Sequence, residues 1–374
     1  MQPLEHILAE YNDRAPLAEA STIPAPFYTD PRIAELERRT VFSRTWQMVG
    51  RLDQVAKPGE YITATVAEEP IVFVRGDDSA LRAFYNVCRH HAAAVMTEPQ
   101  GCAQHLRCPY HGWTYGLDGT LKGAPEFNDV RNFDRSQNGL VPVRVETWEK
   151  FVFVNLDPAA APLADFLGPA LAGRFTPLGL EKLHFVERRV FPLNCNWKVF
   201  VDNYLDGGYH VPHLHKGLNS VLEYTDYKIE CEDRYCLQSS PVVSGGEQAT
   251  AAVRKGYAYY FWQYPNLMLN WYEGYLDTNL ALPLGVDRCQ VIFDFYFADV
   301  SLQAAEYNRK SIEVSQRVQD EDHAICESVQ RGLHSRAYNA GRLSVRREAG
   351  EHLFHRLLTQ DLRSGLERER AAAD

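Results

Sequence analysis

Two short stretches of the chain each pair a cysteine with a histidine. They are Cys88-Arg89-His90 and, seventeen residues further on, Cys108-Pro109-Tyr110-His111. Thiolate sulfur and neutral imidazole nitrogen are both common metal ligands. The two cysteines and two histidines are therefore predicted to hold one metal centre from two separate loops.

The order of the four ligands distinguishes two kinds of centre. Zinc sites with two cysteines and two histidines usually keep like ligands together, as C-x₂₋₄-C and H-x₃₋₅-H pairs. In a Rieske [2Fe–2S] centre, histidines replace the cysteines on one of the two irons and raise its potential. Because each stretch here carries one ligand of each type, each loop can serve both irons. The pattern favours the iron–sulfur cluster, and structural zinc is the alternative.

Length and composition indicate an intracellular protein of about two domains. The chain has 374 residues, of which 45% are hydrophobic, enough for ordinary packed cores. Its eight cysteines are spread widely, so they do not form a dense disulfide framework. A reducing compartment would also protect thiolate ligands. The first residues lack the pattern of a secretory or transit peptide, so we expect a cytoplasmic location.

Charge and hydropathy make two classes of partner improbable. The formal net charge is −10, which disfavours nucleic acid because phosphate neutralisation needs a basic face. No run of eighteen apolar residues occurs, so no membrane span is predicted. A cationic substrate is compatible with this charge, although net charge alone equally serves solubility.

Short strands and turns fill residues 45–156, which we predict to be a small all-β domain that holds the two loops. One of its hairpins is expected at Leu117–Leu121, where Asp118-Gly119 forms the turn. Residues 1–44 and 157–374 are predicted to form a second, larger domain around the first.

The larger domain mixes strands and helices, which makes the whole chain an α+β protein. Residues 290–297 predict a strong strand, and Leu302 to Leu333 predicts a long helix. We expect an antiparallel sheet wrapped around this long C-terminal helix. Residues 362–374 are charged and alanine-rich, and we predict a frayed tail there.

A second group of histidines, His210, His213 and His215, follows a segment predicted to be helical up to Gly207-Gly208. Two imidazoles and one carboxylate can bind non-haem Fe(II) and leave positions open for O₂. Three unrelated histidines in a loop are the alternative at this point. The choice depends on whether a carboxylate joins them.

Asp322 is the best candidate for that carboxylate. It shares one face of the predicted long helix with four apolar residues, Val318, Ile325, Val329 and Leu333. A carboxylate in an apolar stripe is costly unless it is paired or bound to a metal. Its neighbours Asp320 and Glu321 point elsewhere and are expected to be solvated. The alternative is an ion pair on the helix face.

Both regions resemble one family. Residues 86–90 and 108–113 resemble the Rieske domain of ring-hydroxylating oxygenases, and residues 196–215 with 319–322 resemble the catalytic domain of their α subunits. The resemblance covers most of the chain. It implies a Rieske [2Fe–2S] cluster held by Cys88, His90, Cys108 and His111. It also implies a mononuclear Fe(II) held by His210, His215 and Asp322.

One position departs from the family pattern. Members usually carry an acid three residues before the first iron histidine, where it bridges to a cluster histidine of a neighbouring subunit. This chain has Gly207 there, and Asp206 comes one residue earlier. Asp206 is our first candidate for the bridging acid and Asp202 the second. The resemblance further implies a homotrimer and a separate ferredoxin or flavin reductase, since the chain shows no flavin or dinucleotide fingerprint.

Within the family, residues 197–212 and 326–333 most resemble the members that oxidise choline. The resemblance implies hydroxylation or demethylation of a quaternary ammonium compound such as choline or a betaine. Aromatic faces and a nearby acid suit such a cation. Three candidates for a substrate cage come from an aromatic-rich stretch, Trp262, Trp271 and Tyr272, and the fourth is Glu327, which follows Asp322 by about 1.4 helical turns.

Three alternatives remain open from sequence. The first is an aromatic-ring hydroxylase of the same family. The second is an electron-transfer Rieske protein without oxygenase activity, which would lack the mononuclear iron. The third is a zinc-stabilised binding protein. Iron content separates the last two from the oxygenase, and the substrate range separates the first.

Overall fold

The structure is a computed structural model that describes residues 2–215, 222–242 and 256–373. The chain divides into two compact units, residues 41–166 and residues 1–40 with 167–374. The smaller unit has two β-sheets among its described residues, and the larger unit has one. No helix among the described residues combines the length and apolar character needed to cross a bilayer.

The described residues of the smaller unit form two antiparallel sheets. The larger sheet has the order β1-β10-β9-β4-β3-β2-β5, and the smaller has the order β6-β7-β8. The strands are β1 Gln47–Arg51, β2 Glu60–Val66, β3 Glu69–Arg75, β4 Leu81–Tyr85, β5 Gln100–Cys102, β6 Leu106–Arg107, β7 Thr114–Tyr115, β8 Leu121–Gly123, β9 Pro142–Trp148 and β10 Phe151–Asn155. Valine, isoleucine and phenylalanine dominate the central strands, as expected for a packed β core.

The predicted Asp-Gly hairpin is present between β7 and β8. Gly119 has a φ of +82°, which side chains with a Cβ rarely adopt. The Asp118 carboxylate accepts from the backbone N–H of Thr120 at 3.0 Å and closes the turn. Tyr115 of β7 is fully buried. This hairpin supports the second Cys/His loop, which connects β6 to β7.

The larger unit contains a second antiparallel sheet, of order β11-β17-β16-β15-β14-β13-β12 among its described residues. Its strands are β11 His184–Leu193, β12 Lys228–Glu232, β13 Tyr235–Pro241, β14 Tyr257–Gln263, β15 Leu267–Tyr272, β16 Tyr275–Gly285 and β17 Arg288–Phe297. The helices of the described chain are α1 Leu4–Ala9, α2 Pro26–Thr29, α3 Pro31–Glu37, α4 Leu163–Phe175, α5 Trp197–Leu205, α6 Val211–Leu214, α7 Ala305–Leu333 and α8 Ala349–Ala373. Helix α5 packs against β16, β17, α7 and α8.

The sequence explains where α5 begins and ends. Asn196 is the N-cap, and its side chain accepts from the N–H of Lys198. The helix stops at Leu205, and Gly207 and Gly208 follow with φ of +69° and +67°. Below the cap, the buried Lys198 ammonium lies 2.6 Å from the buried Glu37 carboxylate, which compensates both charges.

The predicted α+β class is confirmed, with a small all-β unit and a larger unit that combines an antiparallel sheet with a long helix. The tail prediction was wrong. Residues 362–373 continue α8 instead of fraying. Phe354, Leu358 and Leu362 recur every four residues on this helix and are completely buried. The charged residues between them hid this apolar stripe from a composition-based interpretation.

Candidate metal centres and substrate cavity

The structure brings the two Cys/His loops of the smaller unit together. Cys88 and Cys108 are both buried. Burial, together with the adjacent Cys88 thiol, raises the pKa of the Cys108 thiol above its ordinary value. A buried thiol with a raised pKa is costly to ionise unless a metal ion compensates the charge. Tyr115, which the sequence analysis missed, places its hydroxyl 3.4 Å from the Cys88 sulfur.

The two histidines of these loops lie side by side. The ring centres of His90 and His111 are 4.7 Å apart. His90 also stacks on the Trp113 indole, with ring centres 4.8 Å apart and planes 3° from parallel. The Nδ1 atom of His90 is buried and has no hydrogen-bond partner among the described residues. A buried imidazole nitrogen without a partner is consistent with a metal ligand.

The loop after α5 positions the second pair of histidines in the larger unit. His210 precedes α6, a single helical turn in which Pro212 lies at an N-terminal position, where proline is favoured. His215 ends that turn as its C-cap. The ring centres of His210 and His215 are 4.8 Å apart. His213 lies on the same turn but is exposed and does not join them.

Asp322 of α7 completes the group. Its Oδ1 atom lies 3.0 Å from His215 Nε2 and 3.8 Å from His210 Nε2. Two ligand atoms bound about 2.1 Å from one ion and about 90° apart lie roughly 3.0 Å from each other. The three side chains therefore fit a single divalent metal ion with a facial arrangement of ligands. Asn203 donates to the same Asp322 oxygen at 2.9 Å.

Two further carboxylates orient the imidazoles. Asp206 Oδ2 is 2.6 Å from His210 Nδ1, and Glu321 Oε2 is 2.6 Å from His215 Nδ1. Because a carboxylate accepts hydrogen bonds, each Nδ1 carries the proton in the neutral imidazole, which leaves each Nε2 lone pair available to a metal ion shared with Asp322. Burial lowers the pKa of His215, but the neighbouring carboxylates of Asp322 and Glu321 outweigh this effect and raise the pKa overall. Glu321 is exposed, as expected, but the expectation that it points away from the site was wrong, because it bonds His215.

The buried face of α7 differs from the predicted one. Asp322 is buried as expected, but Ile325 and Val329 are 39% and 44% exposed. The residues that share its buried face are mainly polar or small: Gln319, Asp322, Cys326, Gln330 and Leu333. The prediction that Asp322 lies on the buried face was therefore correct, and the prediction that Ile325 and Val329 share that face was wrong. The choice of neighbours relied on their apolar character more than on the 3.6-residue period of the helix.

Asp202 and Asp206, both on or beside α5, have different surroundings. Asp206 also accepts from the backbone N–H groups of Tyr209 and His210, at 3.1 and 3.0 Å. Asp202 accepts from the Tyr28 hydroxyl at 2.6 Å and lies 3.0 Å from His355 Nε2. Asp206 therefore contacts the metal-site histidine directly, whereas Asp202 belongs to a neighbouring buried cluster.

The glycine at 207 has a steric explanation. A Cβ built there would lie 2.1 Å from the Arg347 carbonyl oxygen and 2.6 Å from the Ile229 side chain. Its positive φ is a second obstacle to any larger residue. An acid at this position has no room, and the carboxylate that bonds His210 comes from Asp206 instead.

A cavity of about 130 Å³ adjoins His210, His215 and Asp322. Its aromatic wall comes from α5, the loop before β12 and the sheet. It includes Tyr204, Tyr227, Tyr260, Tyr272, Tyr275 and Phe293. The wall also carries the polar side chains Asn270, Asp277 and Asn279. A largely aromatic pocket with a few polar groups beside a metal centre is suited to a small organic substrate.

Of the four predicted cage residues, Tyr272 lines this cavity and three do not. Trp271 neighbours Tyr272 on β15, so its side chain points to the opposite face of the sheet. Trp262 is packed against Phe354 of α8 and donates to the Pro265 carbonyl. Glu327 accepts from the backbone and side chain of Asn194.

The sequence analysis missed the other cavity residues, although a signal was present. On β16, Tyr275, Asp277 and Asn279 alternate with Leu276, Thr278 and Leu280. Polar residues at period two inside a strong strand indicate a face that is not an ordinary apolar core. The substrate-cage candidates were chosen by aromatic residue type, and the alternation of side chains along β16 was not used.

Comparisons with known proteins agree with this arrangement. Residues 45–134 match the Rieske [2Fe-2S] domain, and residues 180–363 match the ring hydroxylating alpha subunit (catalytic domain). The chain is 39% identical to a chloroplastic choline monooxygenase of Arabidopsis thaliana, over 96% of this chain and 87% of the relative. It is 35% identical to the carnitine monooxygenase oxygenase subunit of Escherichia coli (strain K12), over 91% and 94% respectively.

A solved structure shows the same fold. A quaternary ammonium Rieske monooxygenase in complex with L-carnitine superposes with a TM-score of 0.81 and 32% identity, covering 96% of this chain and 99% of that one. The chain therefore belongs to the Rieske oxygenase family. It is an oxidoreductase whose cofactors are a Rieske [2Fe–2S] cluster and a mononuclear iron. The match to the Rieske domain favours the iron–sulfur cluster over the zinc alternative for the Cys/His loops.

Proposed function

We propose that this protein is a Rieske-type monooxygenase that hydroxylates or demethylates a quaternary ammonium compound, such as choline or a betaine. The cluster domain spans residues 45–156, and residues 1–44 with 157–374 form the catalytic domain. The observation that carries the proposal is one cavity that holds both the two-histidine, one-carboxylate group and a wall of tyrosine rings. Aromatic faces attract a cation that cannot donate hydrogen bonds.

Each metal group is assigned to the residues that converge on it. Cys88, Cys108, His90 and His111 hold the cluster. His210, His215 and Asp322 hold the mononuclear iron. When bound, the cluster supplies single electrons and the iron activates O₂ next to the substrate. Asp206 and Glu321 hold the two imidazoles in the tautomer that leaves Nε2 free for the metal.

Asp206 is also our first candidate for the acid that links the iron site to a cluster histidine of an adjacent subunit. Its contact with His210 Nδ1 supports this role more than the position of Asp202 does. The protein would then act as a homotrimer and receive electrons from a separate ferredoxin or flavin reductase. A cytoplasmic location, expected from the cysteine usage, stays a prediction.

The experiment is turnover with a reconstituted reductase, O₂ and a panel of choline, glycine betaine, L-carnitine, benzoate and naphthalene. We expect a hydroxylated or demethylated product from at least one quaternary ammonium compound and none from the aromatics. Products from the aromatics alone would contradict the proposal and favour an aromatic-ring hydroxylase. No product from any compound, together with two irons per chain, would favour an electron-transfer Rieske protein.

A further inference from the structure

Asp277 is a buried carboxylate in the substrate cavity that the chemistry described above does not use. It lies on β16 and is 3% exposed. Tyr275 and Asn279 share its face of the strand, and all three line the cavity that also contains the proposed iron ligands. Burying a carboxylate at this position is costly without a compensating group.

The compensation that the protein itself supplies is neutral. Asp277 Oδ1 accepts from the side-chain amides of Asn270 and Asn279 at 2.7 and 2.8 Å. Its Oδ2 accepts from the Tyr275 hydroxyl at 3.0 Å. Within the described part of the chain, no lysine, arginine or histidine nitrogen lies within 4 Å of this carboxylate. Burial raises its pKa to about 6, so it is mainly ionised at neutral pH.

A second buried aspartate in the same sheet shows the contrast. Asp294 lies on β17, paired with Thr278 in the strand register, and therefore faces the opposite side of the sheet from Asp277. The Arg188 guanidinium forms a bidentate ion pair with the Asp294 carboxylate, in which Nε donates to Oδ1 at 2.6 Å and Nη2 donates to Oδ2 at 2.7 Å. Over the residues that the structure describes, Asp294 thus has an internal cation as its partner and Asp277 has none.

The surroundings of Asp277 favour a particular kind of cation. Tyr204, Tyr260, Tyr272 and Tyr275 surround the same space. Aromatic rings attract positive charge and do not require a hydrogen-bond donor from the ligand. Of these four rings, Tyr275 is already stacked against Tyr272 and Phe297. No lysine or arginine is among the described residues that line the cavity. A ligand carboxylate would therefore meet the Asp277 carboxylate, and no lysine or arginine among the described lining residues would supply a counter-charge.

We propose that Asp277 is the counter-ion of the substrate and restricts it to a monocation, a trimethylammonium compound without a carboxylate, such as choline. This inference rests on the proposed function and narrows it. The alternative zwitterions, betaine and carnitine, carry a carboxylate for which the described lining residues provide no lysine or arginine. Asp277 is thus a binding and specificity residue and takes no part in proton or electron transfer.

The test compares choline with its neutral carbon isostere, 3,3-dimethylbutan-1-ol, on the iron-loaded protein. Anaerobic titration calorimetry gives the dissociation constants, and turnover gives kcat/KM for choline, glycine betaine and L-carnitine. We expect the wild type to bind choline at least tenfold more tightly than the isostere. We also expect it to prefer choline to both zwitterions by at least tenfold in kcat/KM.

The Asp277→Asn variant should weaken choline binding at least tenfold while it changes isostere binding less than threefold. The matched control is Asp294→Asn, which removes an equally buried carboxylate on the other face of the sheet and should leave choline binding within threefold. The visible spectrum of the cluster and the iron content of each variant report whether it is folded. If Asp277→Asn does not fold, the wild-type selectivity and pH measurements decide.

The pH dependence supplies a second measurement. The titratable groups that face Asp277 from α5, β14, β15 and β16 are Tyr204, Tyr260, Tyr272 and Tyr275, which stay neutral in this range. The remaining titratable groups on the cavity wall are Tyr227 and the proposed iron ligands. As the pH falls through about 6, Asp277 takes up a proton and choline affinity should fall with it. The isostere is uncharged, so its affinity should not follow this titration.

The outcomes separate the two proposals. Preferred oxidation of betaine or carnitine would leave a quaternary ammonium oxygenase standing and overturn the role of Asp277. Unchanged choline affinity in Asp277→Asn, or equal affinity for choline and the isostere, would also overturn it. If no quaternary ammonium compound is oxidised, the proposed function fails. In that case, choline binding that still depends on Asp277 would support the counter-ion role of Asp277 without the proposed function. An absence of choline binding would reject both the proposed function and the role of Asp277.

Discussion

At the scale of single residues, the proposed iron site depends on hydrogen bonds between its histidines and carboxylates that do not themselves bind the metal. His210 and His215 each donate their Nδ1 proton to a carboxylate, which leaves both Nε2 lone pairs available to a metal ion shared with Asp322. Such carboxylate partners fix the tautomer and ring orientation of metal-binding histidines. The arrangement explains why two acids close to the ligands in sequence, Asp206 and Glu321, have specific positions rather than simply facing solvent.

The first prediction concerns Asp322 and His213. Asp322→Ala removes the single carboxylate of the triad, so the variant should lose its mononuclear iron and all measurable turnover. It should keep the visible absorption of the cluster, because the cluster ligands are separate residues. His213→Ala is the control, since His213 is exposed and outside the triad, and its iron content should match the wild type.

Iron analysis and visible spectroscopy on the purified variants check this prediction. Loss of cluster absorption in Asp322→Ala would show that the two metal sites are not independent. Loss of the mononuclear iron in His213→Ala, with retention in His215→Ala, would show that the wrong histidine was assigned.

The second prediction concerns the two candidate bridging acids. Asp206→Asn removes the charge that orients His210 and should lower kcat by roughly 10–100-fold. Asp202→Asn should lower kcat less than threefold, because Asp202 bonds to Tyr28 and His355 rather than to the iron site. Single-turnover reoxidation of the reduced cluster measures both effects. The reverse order of effects would transfer the bridging role to Asp202.

The chemistry of individual residues was largely predictable, and the substrate cage was not. His210 and His215 were recognised by their spacing and by the family resemblance, and Asp322 because a carboxylate in a predicted apolar stripe needs a partner. Trp262 and Trp271 were chosen for their ring type. Where a ring points depends on strand register and on what packs against it, and neither is evident from composition. Tyr272 was predicted to line the substrate site, and it lines the cavity.

At the scale of elements, the break between α5 and α6 positions the site. Gly207 allows the chain to turn sharply where the Arg347 carbonyl approaches within 2.1 Å of a hypothetical Cβ. This close approach involves α5 and a residue far along the chain, so the sequence showed the departure from the family pattern but not its cause.

The third prediction compares two glycines. Gly207→Ala should lower the free energy of unfolding by about 2–5 kcal/mol, from the left-handed backbone and the clash combined. It should also reduce iron content, because His210 lies three residues away. Gly332→Ala is the control: nothing lies within 4 Å of its Cβ position on α7, and alanine should stabilise the helix by about 0.5–1 kcal/mol.

Denaturant titration of both variants measures these changes. A Gly207→Ala variant as stable as the wild type would mean that the loop adopts another conformation and that the explanation for the missing acid is wrong.

The fourth prediction tests the C-terminal helix. Leu362 lies at the start of the segment predicted as a frayed tail, yet it is completely buried. Leu362→Ala should therefore cost about 2–5 kcal/mol of stability. Glu367→Ala on the exposed side of α8 should change stability by less than about 0.5 kcal/mol. Thermal or denaturant unfolding gives both values, and equal small effects would restore the tail interpretation.

At the scale of the whole molecule, the two groups of candidate metal ligands lie in two units with different architectures. The smaller all-β unit holds the Cys/His loops on short strands. The larger unit holds the second histidine pair and the cavity between helices and a seven-stranded sheet, counted over the described residues. The α+β class followed from the strand and helix patterns, and the two groups of candidate metal ligands from motif spacing, the face of one helix and the family resemblance. The order of strands did not, because long-range pairing leaves little trace in local sequence.

The central claim is that one polypeptide carries two separate iron sites. A crystal structure of the iron-loaded protein, with anomalous difference density recorded at the iron edge, tests it most directly. We predict one peak enclosed by Cys88, His90, Cys108 and His111. We predict a second peak enclosed by His210, His215 and Asp322. A protein replete with iron that shows the first peak and no density at the second would contradict the account.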